Sequence, residues 1–151
     1  KAREMHILAP VPAVHLPSAE ETFRRAGRVA FGSNAWEFWR KQTPGAATVW
    51  IVASATGFPA GGLPGIDPGK LIFRGTYAGM VESRRGVHPT PALRPASTGT
   101  DGTWAMYFEL TDLVRLAPPR SVIGIVMHTG TRLARVPEGP IAIRDPEEPA
   151  P

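Results

Sequence analysis

The residues best suited to chemistry lie together in Val29-Ala-Phe-Gly-Ser-Asn-Ala-Trp-Glu-Phe-Trp39. A small polar turn, Gly32-Ser33-Asn34, follows Phe31 and opens a stretch carrying Trp36, Phe38 and Trp39. An amide that both donates and accepts, set beside flat apolar rings, can hold a planar heterocycle by stacking it and bonding its edge. Ordinary folding accounts for the same residues: the tryptophans, with Trp50, as core, and Asn34 as a helix cap. The two readings are compatible, because a capping residue still presents its backbone to a ligand.

A second candidate is the loop from Arg84 to Asp101, with three arginines, one histidine, several hydroxyls and prolines that stiffen it. Such a loop suits a phosphate backbone, with Arg84, Arg85 and Arg94 as positioning contacts and Arg74, His88 and Ser97 as further candidates. It also fits a solvated connection. Other chemistries find little support. His6, His15, His88 and His128 are scattered singly, so no metal site is expected. No serine sits in a Gly-x-Ser-x-Gly elbow, and the glycine-rich residues 57–69 lack the Gly-Lys-Ser/Thr of a phosphate loop. Asp67-Pro-Gly reads as a turn. With no cysteine there is no disulfide framework, thiolate metal site or cysteine nucleophile. Neither a cofactor nor a reaction is expected.

The chain has 151 residues, enough for one domain with a sizeable core. Its 16 glycines and 17 prolines exceed a fifth of the length, which predicts many turns and little long helix. No apolar run reaches the ~18 residues of a membrane helix, and no charged-then-apolar segment opens the chain, so a soluble cytoplasmic protein is expected. The net charge of +4 is unevenly placed: residues 1–137 hold 16 Lys and Arg against nine acids, and residues 138–151 one Arg against four. Fourteen of the 17 basic residues are Arg, whose planar fork matches phosphate. A basic body points to a polyanionic partner, although a GC-rich genome also favours Arg, Ala, Gly and Pro.

These residues must be positioned by short elements. Residues 6–16 are extended and proline-broken, which predicts an edge strand or an arm over 1–17. Ser18 and Glu21 have capping-box spacing and Gly27 supplies a stop, giving a helix over 19–26 with Phe23 inward and Arg24 and Arg25 in water. Residues 28–31 read as a strand, and Asn34 starts a second helix ending near 43–45. Residues 48–54 form a buried strand, 56–69 a long hairpin loop, and 70–83 a long strand with Gly75 and Gly79 as bulges or bends. Further strands are expected at 103–110, 121–127 and 132–136, with a disordered acidic tail over 145–151. The sum is an α+β domain spanning 1–144: a small mixed β-barrel of five to six strands with two or more short helices.

The order of these pieces resembles the PUA-like superfamily, especially its EVE-domain branch and the related YTH and ASCH groups. Val29-Ala-Phe-Gly-Ser-Asn-Ala-Trp36 is similar to the turn that opens a helix there, and Thr48-Val-Trp-Ile-Val-Ala-Ser54 to the strand ending in serine. Phe73-Arg-Gly-Thr-Tyr-Ala-Gly-Met-Val-Glu82, Val87-His-Pro89, Trp104-Ala-Met-Tyr-Phe-Glu-Leu110 and Pro140-Ile141 continue the series, so the likeness spans roughly residues 28–142. It departs at Thr43-Pro-Gly-Ala, which lacks the usual acidic residue after Gly, and at the loop 56–69.

The resemblance implies a barrel whose pocket accepts a flipped-out, often modified, base. Ser33 and Asn34 would then bond the base edge and Trp36 would line the pocket, with Phe31, Trp50 and Trp104 as further members. The expected function is non-enzymatic recognition of 5-methylcytosine in DNA, as in a bacterial reader of restriction-modification marks, with RNA as the neighbouring possibility. A rival is an ASCH-like enzyme on a free modified nucleoside, for which Lys41, Lys70 and Glu37 are the available groups. A third is a protein-interaction module built on the proline-rich loops and acidic tail.

Overall fold

In the computed structural model, which describes residues 5–96 and 104–148, six strands form one sheet. Its centre is β3 (Ala47–Ser54), where Val49, Trp50, Ile51 and Val52 are all buried, as a β-branched and aromatic run demands when both faces are covered. The connection 56–69 turns the chain into β4 (Lys70–Glu82), antiparallel to β3, and β5 (Met106–Ser121) runs antiparallel to β4. β2 (Val29–Ser33) pairs with the other side of β5. β1 (Met5–Pro12) lies parallel to β3, and the short β6 (Ile141–Ile143) closes on β1. The order is therefore β2-β5-β4-β3-β1-β6. β2 and β6 are the two ends, and no ladder joins them among the described residues, so the sheet is open where a closed barrel was expected.

Alternation sends neighbouring side chains to opposite faces and so makes two cores. Ile7, Val49, Ile51, Phe73 and Phe108 belong to the larger one, against which Phe23 of α1 (Ala19–Ala26) and Trp36 and Phe38 of α2 (Trp36–Arg40) pack. Leu8, Trp50, Val52 and Leu71 belong to the smaller, closed by Val122, Ile125 and Ile143. Within the larger core Trp39 stacks on Phe108 at 4.1 Å and on Tyr77 at 5.4 Å between ring centroids.

α1 has the expected bounds and ends at Gly27, whose φ of +75° only glycine adopts freely. Ser18 makes no side-chain cap bond, so the helix is held by its packed face instead. The ladder between β4 and β5 shifts register between Arg74 and Thr76 and between Tyr77 and Gly79, as the glycines at 75 and 79 predict.

Four expectations fail. β1 is an interior strand, neither an arm nor an edge. Its Met5 N–H donates towards β3, so alternation turns the nitrogens of Pro10 and Pro12 the other way. There β6 pairs only as far as Leu8, and the missing donors break no ladder. β5 continues to Ser121, well past residue 110, whereas 122–127 and 132–136 form no strand and carry isolated Val126–Arg132 and Met127–Ile143 bridges. α2 starts at Trp36 and stops at Arg40, two residues later and several shorter than expected. Finally, Pro146 is buried and its carbonyl accepts a bond from Arg120, so the turn 145–148 is anchored to the body, while residues 149–151 of the expected tail lie outside the described residues.

Candidate nucleic-acid interface

β2 ends in a turn that its own polar side chains hold shut. Ser33 Oγ accepts the Ala35 N–H and the buried Trp39 Nε1–H, each at 3.1 Å. Asn34 Oδ1 accepts the Ala105 N–H at 2.9 Å, which ties the turn to the approach of β5. Asn34 is thus a clip between strands and does not cap α2, whose N-cap is Ala35. Its carboxamide nitrogen carries two donors that bond to nothing among the described residues, and the residue is exposed.

The aromatic partner of this turn is Trp104. A Cβ placed on Gly32 would fall 2.4–2.5 Å from three atoms of the Trp104 ring, so the indole lies flush on the Gly32 backbone and no larger residue fits there. His15 meets Trp104 edge-on, at 6.5 Å between centroids. The Trp104 Nε1–H is buried without a hydrogen-bond partner among the described residues.

Gly32, Ser33, Asn34, Ala35 and Trp104 form one wall of a cleft of about 640 Å³. Pro10 and Pro12 at the end of β1, Ser54 at the end of β3 with Thr56 just beyond it, and residues 136–140 form the rest. The volume falls within the usual range for small-ligand sites, about 300–1,000 Å³. Glu138 is the one titratable side chain among the described residues that line it.

The expected base-pocket residues therefore divide. Ser33, Asn34 and Trp104 come together. Phe31 is fully buried against Phe108, 5.7 Å between centroids, and Trp36 is half-buried against the main core, so neither lines the cleft. Trp50 faces the smaller core and donates its Nε1–H to His6 Nδ1 at 3.1 Å. The prolines of β1 and of 136–140 carried no signal of this role, because their convergence depends on β1 lying inside the sheet.

The expected phosphate contacts divide as well. Arg84 and Arg85 are exposed at a tight turn closed by mutual Arg84–Val87 backbone bonds of 2.8 and 3.1 Å. His88 and Arg94 are buried and hold the loop from inside. Arg94 Nη1 donates to the Ala30 carbonyl at 2.7 Å, with its guanidinium 4.9 Å from the Tyr107 ring centre. His88 Nδ1 accepts the Thr90 N–H, so Nε2 carries the hydrogen donated to Glu109 at 2.7 Å. Arg28 pairs with the other Glu109 oxygen at 2.8 Å. A cation committed to a buried carbonyl is not available to a phosphate, which removes Arg94 from the interface. Arg74 lies on the Trp50 face, away from this cleft, and Ser97 lies outside the described residues.

Burial alone raises the pKa of Glu109, but the hydrogen bonds from His88 and Arg28, with the Arg28 charge, outweigh it and hold the carboxyl below its ordinary 4.5. Tyr77, buried and then facing the Glu109 charge, is pushed up to about 12. Its hydroxyl donates to the Trp39 carbonyl at 2.9 Å. These groups are inside the scaffold and not in the cleft.

Comparison with protein families found no matching family model, and comparisons with curated proteins and solved structures found no match either. The functional reading rests on the geometry above.

Proposed function

We propose that the protein binds nucleic acid, DNA ahead of RNA, and reads a modified base, 5-methylcytosine first, in the cleft between Trp104 and Asn34. The observation that carries this reading is the Trp104 indole lying flush on Gly32 beside the uncommitted carboxamide donors of Asn34. An aromatic wall and an amide edge are the two contacts a flipped base requires. Extrusion costs a few kcal/mol, and stacking on an aromatic side chain returns about 1–3 kcal/mol per base. A methyl group adds roughly 1 kcal/mol of apolar burial, here against Pro10, Pro12 and Pro140. In this reading the domain is PUA-like, of the EVE type, with a sheet that the bulges along the β4–β5 ladder curve without closing it.

The rival nucleoside enzyme receives less support, since none of Lys41, Lys70 and Glu37 lines the cleft. The test is a fluorescence-anisotropy titration with matched duplexes, unmodified and carrying 5-methylcytosine, at two salt concentrations. Tighter binding of the methylated duplex at both salts is expected. Equal binding that collapses with salt would reduce the protein to a basic surface, and no binding of any nucleic acid would end this reading.

A further inference from the structure

On the Trp50 face of the sheet two adjoining depressions share Arg120. The larger, about 660 Å³, is lined by Arg120, Arg132 and Arg144 together with Asp145 and Glu148. The smaller, about 290 Å³, is lined by Trp50, Arg74, Arg115, Arg120 and Glu147. Neither shares a lining residue with the Trp104 cleft.

Of the five arginines around this groove, one is paired with a carboxylate. Arg115 is matched by Glu20 at 2.6 Å. Arg120 donates to the Pro146 carbonyl, and Arg132 donates to the Gly124 carbonyl at 3.3 Å. Among the described residues, Arg74, Arg120, Arg132 and Arg144 form no ion pair, and the guanidinium groups of Arg74 and Arg144 form no hydrogen bond. Across this groove lies the turn 145–148, anchored by the buried Pro146 and closed by the Glu147 N–H on Asp145 Oδ1 at 2.9 Å. The turn brings three carboxylates to the arginines without pairing with any of them.

We propose that this groove is a second polyanion site, taking the phosphodiesters of a nucleic-acid backbone, and that the turn 145–148 occupies it as an internal competitor. The inference extends the nucleic-acid reading but stands on a different face and different residues. Guanidinium forks match phosphate oxygens bidentately. Nucleic acid also presents its charges in a dense row, about one per 1.7 Å of duplex, which three carboxylates on one turn do not reproduce, one of them, Asp145, also lying 3.7 Å from His6 Nε2. The turn therefore raises the threshold for binding without closing the site.

The test compares two triple variants with equal change in net charge: Asp145→Asn/Glu147→Gln/Glu148→Gln, and the exposed control Glu21→Gln/Glu37→Gln/Glu82→Gln. Each is titrated with unmodified and 5-methylcytosine duplexes at two salts and with phosphatidylglycerol vesicles, after thermal melts establish folding. The first variant is expected to bind duplex about fivefold more tightly than the control. Adding Arg74→Gln and Arg144→Gln should abolish that gain and lower the salt slope by about 2. Equal gains in both triple variants, or none, would overturn the proposal, as would a gain confined to vesicles. Loss of methyl preference with the gain intact would remove the base reading alone; the converse would remove the groove alone.

Discussion

Gly32 and Trp104 are the pair on which the cleft depends, since the indole occupies the space a Cβ would need. Gly32→Ala should displace the ring, cost about 1–3 kcal/mol in urea unfolding and shift tryptophan emission. Asn34 has two separable jobs, a clip to Ala105 and a free amide edge. Asn34→Ala should cost about 1 kcal/mol and erase any preference for the methylated duplex. Trp36→Ala should preserve that preference, because Trp36 packs on the core and not in the cleft. A loss of preference in Trp36→Ala alone would return the pocket to the helix. Ser33 and Asn34 are legible as polar residues beside aromatics, and that the sequence puts Trp36 ahead of Trp104 as their partner has a simple cause. Trp36 is adjacent in sequence, whereas Trp104 arrives only when β2 and β5 pair, bringing Ser33 opposite Met106.

The element that presents Arg84 and Arg85 is clamped to β2 and β5 from beneath. Glu109 on β5 holds His88 of the loop and Arg28 before β2, and Arg94 holds Ala30. Because the folded-state pKa of Glu109 is depressed, its contribution is complete above the ordinary value of 4.5 and is lost as pH falls through the lower folded value. Acid unfolding should therefore include a carboxylate step that Glu109→Gln removes, at a cost of about 2 kcal/mol near neutrality, read by urea midpoints from pH 7 to pH 3. Tyr77 has the opposite sign. Its raised pKa gives stability that is complete below 10.0 and lost as pH climbs towards about 12. Tyr77→Phe should flatten the alkaline limb while losing the bond to the Trp39 carbonyl. Neither His88 nor Arg94 differs in sequence from a surface loop cation. Their burial was invisible because the partners, Glu109 and the Ala30 carbonyl, lie 21 and 64 residues away.

At the scale of the molecule, charge and shape are separately testable. Arg84→Gln/Arg85→Gln should weaken all duplexes alike and flatten the salt dependence by about 2 in slope, leaving the methylated-to-unmethylated ratio unchanged. A changed ratio would move these arginines from backbone contacts into the reading of the base. From the sequence alone came what local chemistry dictates. The buried run 48–54, the bulged strand 70–83, each within one residue of the strand observed, the helix 19–26 with its glycine stop and the hairpin between β3 and β4 all follow from side-chain alternation, β-branching and backbone freedom. The basic body and the absence of thiol chemistry follow from composition. Only the tertiary structure decided that the proline-broken opening strand lies inside the sheet and that the sheet stays open. It also decided that the acidic turn packs among arginines and that Trp104 covers Gly32. Each of these is a pairing between segments far apart in the chain, set by which ladder completes which strand and which face needs covering, and no local pattern encodes that choice.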